Sequence, residues 1–320
     1  VLFFFFHSMT MNKSTVDSFL LLGFSDFPGL EGLFFSAFLT IYLLILIENI
    51  LIIIVTLVDR ALSNPMYFFL RSLSCVEICY TSVIIPIMLE NLLSDDKTMS
   101  FISCAFQMTM FLITGAAECF LLAVMAYDRY AAICQPLHYM VIMNREACFG
   151  LVAASWLAGI PVQLSQTVLV FTSHFCDSNE INHFFCDIPA LLNLVCGDTS
   201  LNEQIALVEV VVLALIPFSL IFLSYLCIGN TILKIPSVEG KRKAFSTCSS
   251  HLMVVVVFYG SGMSVYLTPN SNHSLDTNKF LSLFYTILPA LLNPLIYSLR
   301  NKEIQGGLKK CASSFFSLNK

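Results

Sequence analysis

Charged side chains are scarce in this chain of 320 residues. Asp, Glu, Lys and Arg together make up 12% of the sequence, whereas soluble domains carry about 25%. Hydrophobic residues make up 57%, and they gather in stretches long enough to cross a bilayer as helices, for which about 20 residues suffice. This balance excludes a soluble globular domain and indicates an integral membrane protein in contact with lipid, and we expect no nucleic-acid partner.

Several patterns that mark other function classes are also missing. No closely spaced cysteine and histidine pairs of the zinc-finger type occur, and no arrangement of nucleophile, base and oxyanion donors indicates an enzyme. No internal repeat is visible, although many transporters of this size are built from repeats. We therefore expect neither an enzyme nor a transporter, and no cofactor apart from the sodium ion considered below.

Long apolar segments predict an all-α membrane protein, a seven-transmembrane helix bundle, whose helices we number as spans one to seven. They are Leu33–Val58, Met66–Leu93, Phe101–Cys134, Cys148–Val170, Ile205–Leu233, Ala244–Leu267 and Phe280–Leu299. The chain thus divides into an N-terminal segment 1–32, a membrane domain 33–299 and a C-terminal segment 300–320. In Arg300–Phe316 the apolar residues share one helical face, which predicts a short amphipathic helix on the membrane surface.

The distribution of Lys and Arg predicts the orientation, because cytoplasmic loops carry an excess of these residues. With the N-terminus outside, the outer segments hold Lys13, Lys97 and Lys279, and the other thirteen basic residues lie on or near the inner side. The sequence therefore predicts a multi-pass protein of the plasma membrane with an extracellular N-terminus and a cytosolic C-terminus.

The predicted outer segments carry two kinds of modification signal. Asn12 begins an Asn-x-Ser triplet, the acceptor pattern for N-glycosylation; residues 1–8 lack signal-peptide features, and we expect Met9 or Met11 to be the true start. Four cysteines lie on the outer side, where disulfides persist, and four cysteines allow three pairings. They are Cys104, Cys176, Cys186 and Cys196.

Several motifs occur together along the chain. They are PMYFFL at 65–70, MAYDRYAAICQPLHY at 125–139, SY at 224–225, KAFSTCSSHL at 243–252, FYG at 258–260 and NPLIYSLRN at 293–301. In combination they resemble the olfactory receptors, a family of rhodopsin-like G-protein-coupled receptors. The resemblance covers about residues 11 to 310. It implies that a small, volatile, mostly hydrophobic odorant binds within the bundle and that an olfactory-type stimulatory heterotrimeric G protein is activated, raising cyclic AMP.

The resemblance also implies roles in activation. Asp128 would hold Arg129 at rest, and the released Arg129 would contact Tyr225 and the G protein. Tyr259 would couple the pocket to an outward movement of span six. The residues with such implied roles are Asp128, Arg129, Tyr130, Tyr225, His251, Tyr259, Asn293, Pro294 and Tyr297.

Two further sets of contacts follow from the same resemblance. Cys104 would pair with Cys186 and Cys176 with Cys196, which would hold the second outer loop over the pocket. Within the bundle, a polar cluster resembles the sodium-ion site of the receptor class, and carboxylates inside a membrane are candidates for function. Its residues are Asn49, Glu77, Glu118 and Asn293; in the alternative interpretation one carboxylate is protonated and hydrogen-bonded, with no ion.

The ligand site is predicted from apolar residues that recur at intervals of three and four on spans three and six, and therefore share a helical face. Some of them instead serve helix packing in the alternative interpretation. Phe111 stands where receptors for amine hormones carry an aspartate, which argues against that ligand class. Glu209 could recognise a polar or cationic group or, in the alternative interpretation, lie deprotonated near the outer water. The predicted residues are Met108, Phe111, Leu112, Gly115, Ala116, Glu209, Tyr259, Gly262, Met263 and Tyr266.

Two positions leave alternatives open. His251, together with the basic residues 241–243, is predicted to face the G protein, although such a cluster also serves as an ordinary membrane anchor. Glu48 stands beside Asn49 where the resembled family usually has glycine, which raises the alternative of a receptor that is not functional. A class A receptor for a small ligand other than an odorant is the remaining alternative.

Overall fold

A computed structural model describes residues 16–176, 178–266 and 275–318, although some side chains within these ranges are not described. It contains seven helices that are long and apolar enough to cross a membrane. The predicted all-α seven-helix class is thereby confirmed. Asn12 lies outside the described residues, so its glycosylation stays a prediction.

The seven spans run somewhat beyond their apolar cores. They are Glu31–Val58, Pro65–Leu93, Phe101–Cys134, Arg145–Thr172, Ser200–Lys234, Val238–Tyr266 and Leu275–Arg300. Hydropathy alone ends a helix too early, because capped polar residues continue its hydrogen bonding. At the start of span four, for example, the Asn144 side chain accepts a hydrogen bond of 2.8 Å from the backbone N–H of Ala147.

Span five changes its helical type along its length. An α-helix from Ser200 to Glu209 passes into a π-helix from Val210 to Leu215, and an α-helix follows from Ile216 to Lys234. Single π-turns within α-helices are rare and often lie at functional sites. Pro217, near the start of the last segment, limits the backbone hydrogen bonding at this junction.

A three-stranded sheet covers one end of the bundle, although the sequence predicts no strand. Its strands are β1 (Ser18–Leu21), β2 (Thr98–Ser100) and β3 (Glu180–Ile181) in the order β2-β1-β3. β1 pairs antiparallel with β2 and parallel with β3. The sheet therefore joins the N-terminal segment to the loops that follow spans two and four, and we call this end of the bundle the cap end.

The opposite end, which we call the Arg129 end, carries the shorter helices Arg60–Leu62 and Tyr139–Ile142 and the C-terminal helix Lys302–Leu318. Ile304 of that last helix is fully buried, and Leu308 packs against the same core cluster. The predicted amphipathic helix is thus present, with one face against the bundle.

Span three lies at the centre of the bundle. In its most apolar window 72% of the residues are buried, against 28% in span one and 22% in span four. It packs against spans two, four and five, while large apolar side chains on other spans, such as Leu57, Leu157 and Phe222, point outward as lipid-facing residues do. Side chains of span three can therefore reach several partner helices at every depth.

Candidate functional site

Asp128 and Arg129 form an ion pair at the Arg129 end of span three, and both side chains are buried. The Tyr139 hydroxyl donates a second hydrogen bond, of 2.7 Å, to Asp128. Burial, with the neighbouring Asp128 charge, raises the pKa of the Tyr139 hydroxyl, so it stays protonated and can donate. The predicted pairing of Asp128 with Arg129 is present, and Tyr139 is a partner that the motif alone did not reveal.

A second chain of polar contacts links spans five, six and three. The Tyr225 hydroxyl lies 2.8 Å from Nδ1 of His251, and Nε2 of His251 lies 3.1 Å from the backbone carbonyl of Leu122. The two rings are also stacked, with their centroids 5.8 Å apart. Through His251, span six is thus attached to both neighbouring spans.

The burial of His251 differs from the sequence-based prediction. Its side chain is 2% exposed, so it does not face a cytosolic partner together with residues 241–243. The physical reason is that both ring nitrogens have polar partners inside the bundle, which makes burial of the imidazole acceptable. Arg242 remains exposed on the first turns of span six, as a membrane anchor or docking residue would be.

Two buried tyrosines lie between this region and the bundle interior. Tyr259 packs against Phe218 of span five with ring centroids 5.1 Å apart. The Tyr259 side chain is a hydrogen-bond partner of the Cys119 thiol of span three, whereas the Tyr297 hydroxyl has no hydrogen-bond partner within the described part of the chain. Buried hydroxyls normally find partners, so the Tyr297 hydroxyl is available for a contact in another arrangement of the helices. Tyr130 is partly buried, and its hydroxyl accepts a hydrogen bond from Gln135.

The predicted intramembrane cluster comes together around Asn293. Its amide nitrogen donates to Glu77 at 2.7 Å and reaches Glu118 at 3.4 Å. Asn49, which is fully buried, donates to the Ile45 carbonyl of its own helix, and its side chain is also a hydrogen-bond partner of Glu77. Among the described residues, the side-chain oxygens of Asn49 and Asn293 have no donor. Pro294, within span seven, follows this cluster directly.

Both implied disulfides are present at the cap end. Cys104 is bonded to Cys186 and Cys176 to Cys196. Gln107, one turn along span three from Cys104, accepts a hydrogen bond of 2.9 Å from the backbone N–H of Cys186. The loop after span four is therefore fixed to span three by a covalent bond and by a buried hydrogen bond.

The predicted ligand residues of span three face different neighbours. Phe111 packs against Phe185 and Tyr80, with centroid distances of 4.9 and 5.2 Å. Met108 is fully buried in the cluster around Cys104, and Leu112 packs against this cluster and the neighbouring one around Phe111. Ala116 packs so closely on Gly159 of span four that a side chain there would lie 2.6 Å from the Ala116 Cβ. Ala116 therefore serves helix packing.

The remaining predicted ligand residues have fewer described contacts with neighbouring helices. Gly115 is partly buried near Tyr80, and Gly262 is partly buried on span six. The side chains of Met263 and Tyr266 lie outside the described residues. A small recess lies at the cap end between the N-terminal segment and span two, and none of the predicted ligand residues lines it.

The structure reveals functional candidates that the sequence analysis did not single out. Gln163 and Gln166 of span four are buried, and Lys279 of span seven donates to the Gly23 carbonyl at 3.0 Å and to Asp26 at 2.6 Å. Asp187 is buried beside Tyr285. A glutamine or lysine within or beside an apolar span is itself a signal that could have indicated them.

Groups in the cap loop have shifted ionisation. Burial raises the pKa of Asp187 to about 6, against opposing hydrogen bonds from Ile188 and Tyr285. Burial, together with the Lys279 charge, lowers the pKa of His183 to about 3. His183 is stacked on Phe184 with centroids 4.5 Å apart, so the cap retains a neutral imidazole at neutral pH.

The seven-helix bundle, the disulfide beside span three and the buried Asp128–Arg129 pair together define a multi-pass membrane protein of the seven-helix receptor class. Comparison with known proteins agrees with this class. The sequence model of the olfactory receptor family matches residues 38–314.

Curated relatives match over almost the whole chain. Human olfactory receptor 10A5 is 53% identical over 300 residues, which cover 93% of this chain and 95% of the relative. Human olfactory receptor 10C1 is 50% identical, covering 94% and 97%, and mouse olfactory receptor 2C1 is 46% identical, covering 93% and 95%. The chain belongs to the olfactory receptor family of G-protein-coupled receptors.

Proposed function

We propose that this protein is an odorant receptor of the plasma membrane that activates an olfactory-type stimulatory G protein and raises cyclic AMP. The ligand is a small, mostly hydrophobic odorant. Membership of the olfactory receptor family supports an odorant as ligand. The observation that carries the coupling step is the arrangement of polar contacts at the Arg129 end.

Those contacts are suited to a two-state switch. The charge of the buried Arg129 is balanced by Asp128, which also accepts a hydrogen bond from Tyr139. Span six is attached through His251 to Tyr225 of span five. If span six moves away, the His251 contact breaks, and the freed Tyr225 hydroxyl becomes a partner for Arg129. Exchange of one set of polar partners for another keeps the buried charge satisfied in both states, which a buried charge requires.

The orientation proposed for this mechanism has the cap end outside the cell and the Arg129 end in the cytosol. Two observations support it: the disulfides lie at the cap end, and disulfides persist in oxidising compartments, while most basic residues fall towards the other end. An epitope tag at the C-terminus should be labelled in permeabilised cells alone; labelling of intact cells would contradict the orientation.

The decisive experiment is Arg129→Ala in cells with a cyclic-AMP reporter and a panel of odorants. We expect odorant-driven cyclic AMP to be lost while surface labelling persists, because the G-protein contact would be removed. Arg145→Ala is the matched control, since Arg145 is exposed at the same end of the bundle and should leave the response intact. A full response in Arg129→Ala would contradict the proposed role.

Tyr139→Phe changes the same network in the opposite direction. It removes a hydrogen bond to a charged acceptor, which stabilises by about 1.5–3 kcal/mol, and thereby loosens Asp128 from its resting position. We expect basal cyclic AMP to rise about tenfold or more, in keeping with about 1.4 kcal/mol per factor of ten. An unchanged basal level would show that Tyr139 is not part of the resting contact.

We also propose that a sodium ion stabilises the resting state beside Asn293. Two carboxylates, Glu77 and Glu118, and two side-chain oxygens without donors, on Asn49 and Asn293, supply oxygen ligands of the kind that hard cations prefer. Replacing sodium with choline should lower the unfolding temperature of the purified parent but not that of Glu77→Gln. Equal behaviour of the two proteins would favour a protonated carboxylate instead.

A receptor impaired in folding is the second candidate, and Glu48 favours it. One oxygen of the Glu48 carboxyl is buried without a partner among the described residues, and such a group is costly inside a membrane. If this candidate is correct, Glu48→Gly should raise the amount of receptor labelled at the cell surface several-fold. Equal surface levels would remove it.

A further inference from the structure

Spans four and five carry buried polar side chains whose side-chain atoms lack partners among the described residues. Gln166 is fully buried, Gln163 is 4% exposed and Glu209 is 7% exposed. Within the described residues, both amide atoms of Gln166, Oε1 of Gln163 and Oε1 of Glu209 have no hydrogen-bond partner. Buried polar atoms in native proteins nearly always have one, so several such atoms in one region indicate a missing partner.

The helix register brings these side chains to the same depth. Near the cap end, Asn202 of span five donates to the hydroxyl of Ser173 at the end of span four, over 3.4 Å. Gln166 lies seven residues before Ser173, and Glu209 lies seven residues after Asn202. Seven residues make nearly two helical turns and about 10 Å. Because the two spans run in opposite directions, the register places Gln166 and Glu209 at about the same depth, about 10 Å below the first pair, on the sides of the two spans that carry that pair.

This site borders the region in which the odorant pocket is predicted. The hydroxyl of Thr167, the residue after Gln166, accepts a hydrogen bond of 3.0 Å from the Thr109 hydroxyl of span three. Thr109 directly follows Met108, one of the predicted ligand residues. The π-helix of span five begins at Val210, directly after Glu209. A π-turn displaces the side chains around it and often marks a functional site.

The chemistry of the unpartnered atoms limits the ligand. Three of them are oxygens that accept, on Gln163, Gln166 and Glu209, and one is the amide nitrogen of Gln166, which donates. A group that donates several hydrogen bonds therefore fits better than one that mainly accepts. A primary ammonium has three N–H donors and a positive charge that Glu209 can balance, and its apolar tail would lie among the hydrophobic residues of span three.

We propose that Gln163, Gln166 and Glu209 bind the ammonium group of a primary alkylamine. This inference rests on the proposed function, since the amine would be the odorant class of the same receptor. It also agrees with the apolar Phe111, because the amine would be held from spans four and five and not from that position of span three.

The test measures binding separately from signalling. The purified full chain is heated with n-hexylamine, hexan-1-ol, hexanoate or hexyltrimethylammonium, and the unfolding temperature is recorded over a range of concentrations. We expect stabilisation by hexylamine and weaker stabilisation by the other three. Hexyltrimethylammonium keeps the charge but has no N–H donors, so it should need about tenfold or more higher concentration.

Two variants and a control assign the effect to this site. Glu209→Gln keeps the shape and removes the charge, and it should weaken hexylamine stabilisation about tenfold or more. Glu180→Gln is the control, because Glu180 is exposed in β3 and should bind as the parent does. Gln166→Leu gives a second reading of the same site, and replaces Glu209→Gln if that variant does not fold.

The outcomes separate this inference from the proposed function. No preference for the amine, or a preference that survives both Glu209→Gln and Gln166→Leu, overturns the amine site, whatever the cells do. Hexylamine binding without any cyclic AMP response in cells supports the site and contradicts the signalling role. A cyclic AMP response to other odorants, without amine binding, supports the signalling role and overturns the site.

Discussion

The two ends of the bundle are held together by different kinds of contact. At the cap end, disulfides and backbone groups predominate: Cys104 is bonded to Cys186, and Gln107 joins the Cys186 N–H to the Val83 carbonyl. At the Arg129 end no disulfide occurs among the described residues, and hydrogen bonds of side chains form the central contacts, as in the pair of Asp128 with Tyr139. A disulfide keeps its two partners when the helices move, whereas hydrogen-bonded side chains can change partners by rotating.

This difference suggests that the two ends have different roles. The cap end provides a fixed frame that keeps spans three and four and their loop in register, and the Arg129 end provides the contacts that change. The buried Tyr297 hydroxyl, which has no partner among the described residues, lies on span seven rather than in the cap. If the comparison is correct, changes at the cap should act on stability, and changes at the Arg129 end should act mainly on signalling.

The largest effect is expected from the cap disulfides. Replacing both Cys104 and Cys186 with Ala opens a link between residues 82 positions apart, against 20 for Cys176 and Cys196. The chain-entropy relation gives losses of about 4.5 and about 3 kcal/mol respectively. The unfolding temperature of the purified proteins and the amount of receptor labelled at the cell surface should therefore both decrease in the order parent, Cys176/Cys196 variant, Cys104/Cys186 variant. The reverse order would show that Cys104–Cys186 is not the main support of the cap.

Much of this frame could be predicted from the sequence, and the reasons are physical. A membrane span can be recognised in a sequence because about 20 apolar residues must follow one another. Span three was predicted with its observed bounds, Phe101–Cys134. The strands of the cap could not be found this way, because two to four residues carry no usable periodicity.

Side-chain partners at the candidate sites were the hardest to predict. The sequence predicts His251 as part of an exposed basic cluster, but its side chain is buried in the bundle. Its partners Tyr225 and Leu122 are 26 and 129 residues away in the sequence. Gln166 and Glu209 are each visible as polar residues within apolar spans, but their common depth depends on the helix register. Contacts between distant segments become apparent once the helices are packed.

A smaller effect on the cap is expected from pH. Burial lowers the pKa of His183 to about 3, so an unfolded chain gains a proton near pH 6.5 that the folded chain does not bind. Stability is therefore full above pH 6.5 and falls as the pH decreases. Between pH 7 and pH 5 this single group should cost about 2 kcal/mol, and thermal unfolding at the two pH values measures it.

The His183→Asn variant should lose correspondingly less stability than the parent between pH 7 and pH 5. His138→Asn is the control, since His138 is exposed at the Arg129 end, and it should behave like the parent. Asp187, whose pKa burial raises to about 6, acts in the opposite direction, because it binds a proton in the folded state first. Asp187→Asn should therefore lose more stability than the parent on the same acidification. Identical pH dependence in all four proteins would contradict a buried neutral His183.

The smallest effect is expected at the C-terminal helix, where two polar contacts offer a direct comparison. Lys310 lies 3.0 Å from Asp59, but its side chain is 68% exposed, and exposed ion pairs contribute little. Tyr67 is buried and donates to Glu303 at 2.6 Å. Lys310→Gln should shift the unfolding temperature by about 1 °C or less, and Tyr67→Phe by about 3 °C or more. Equal shifts would show that charge, rather than burial, holds the helix to the bundle.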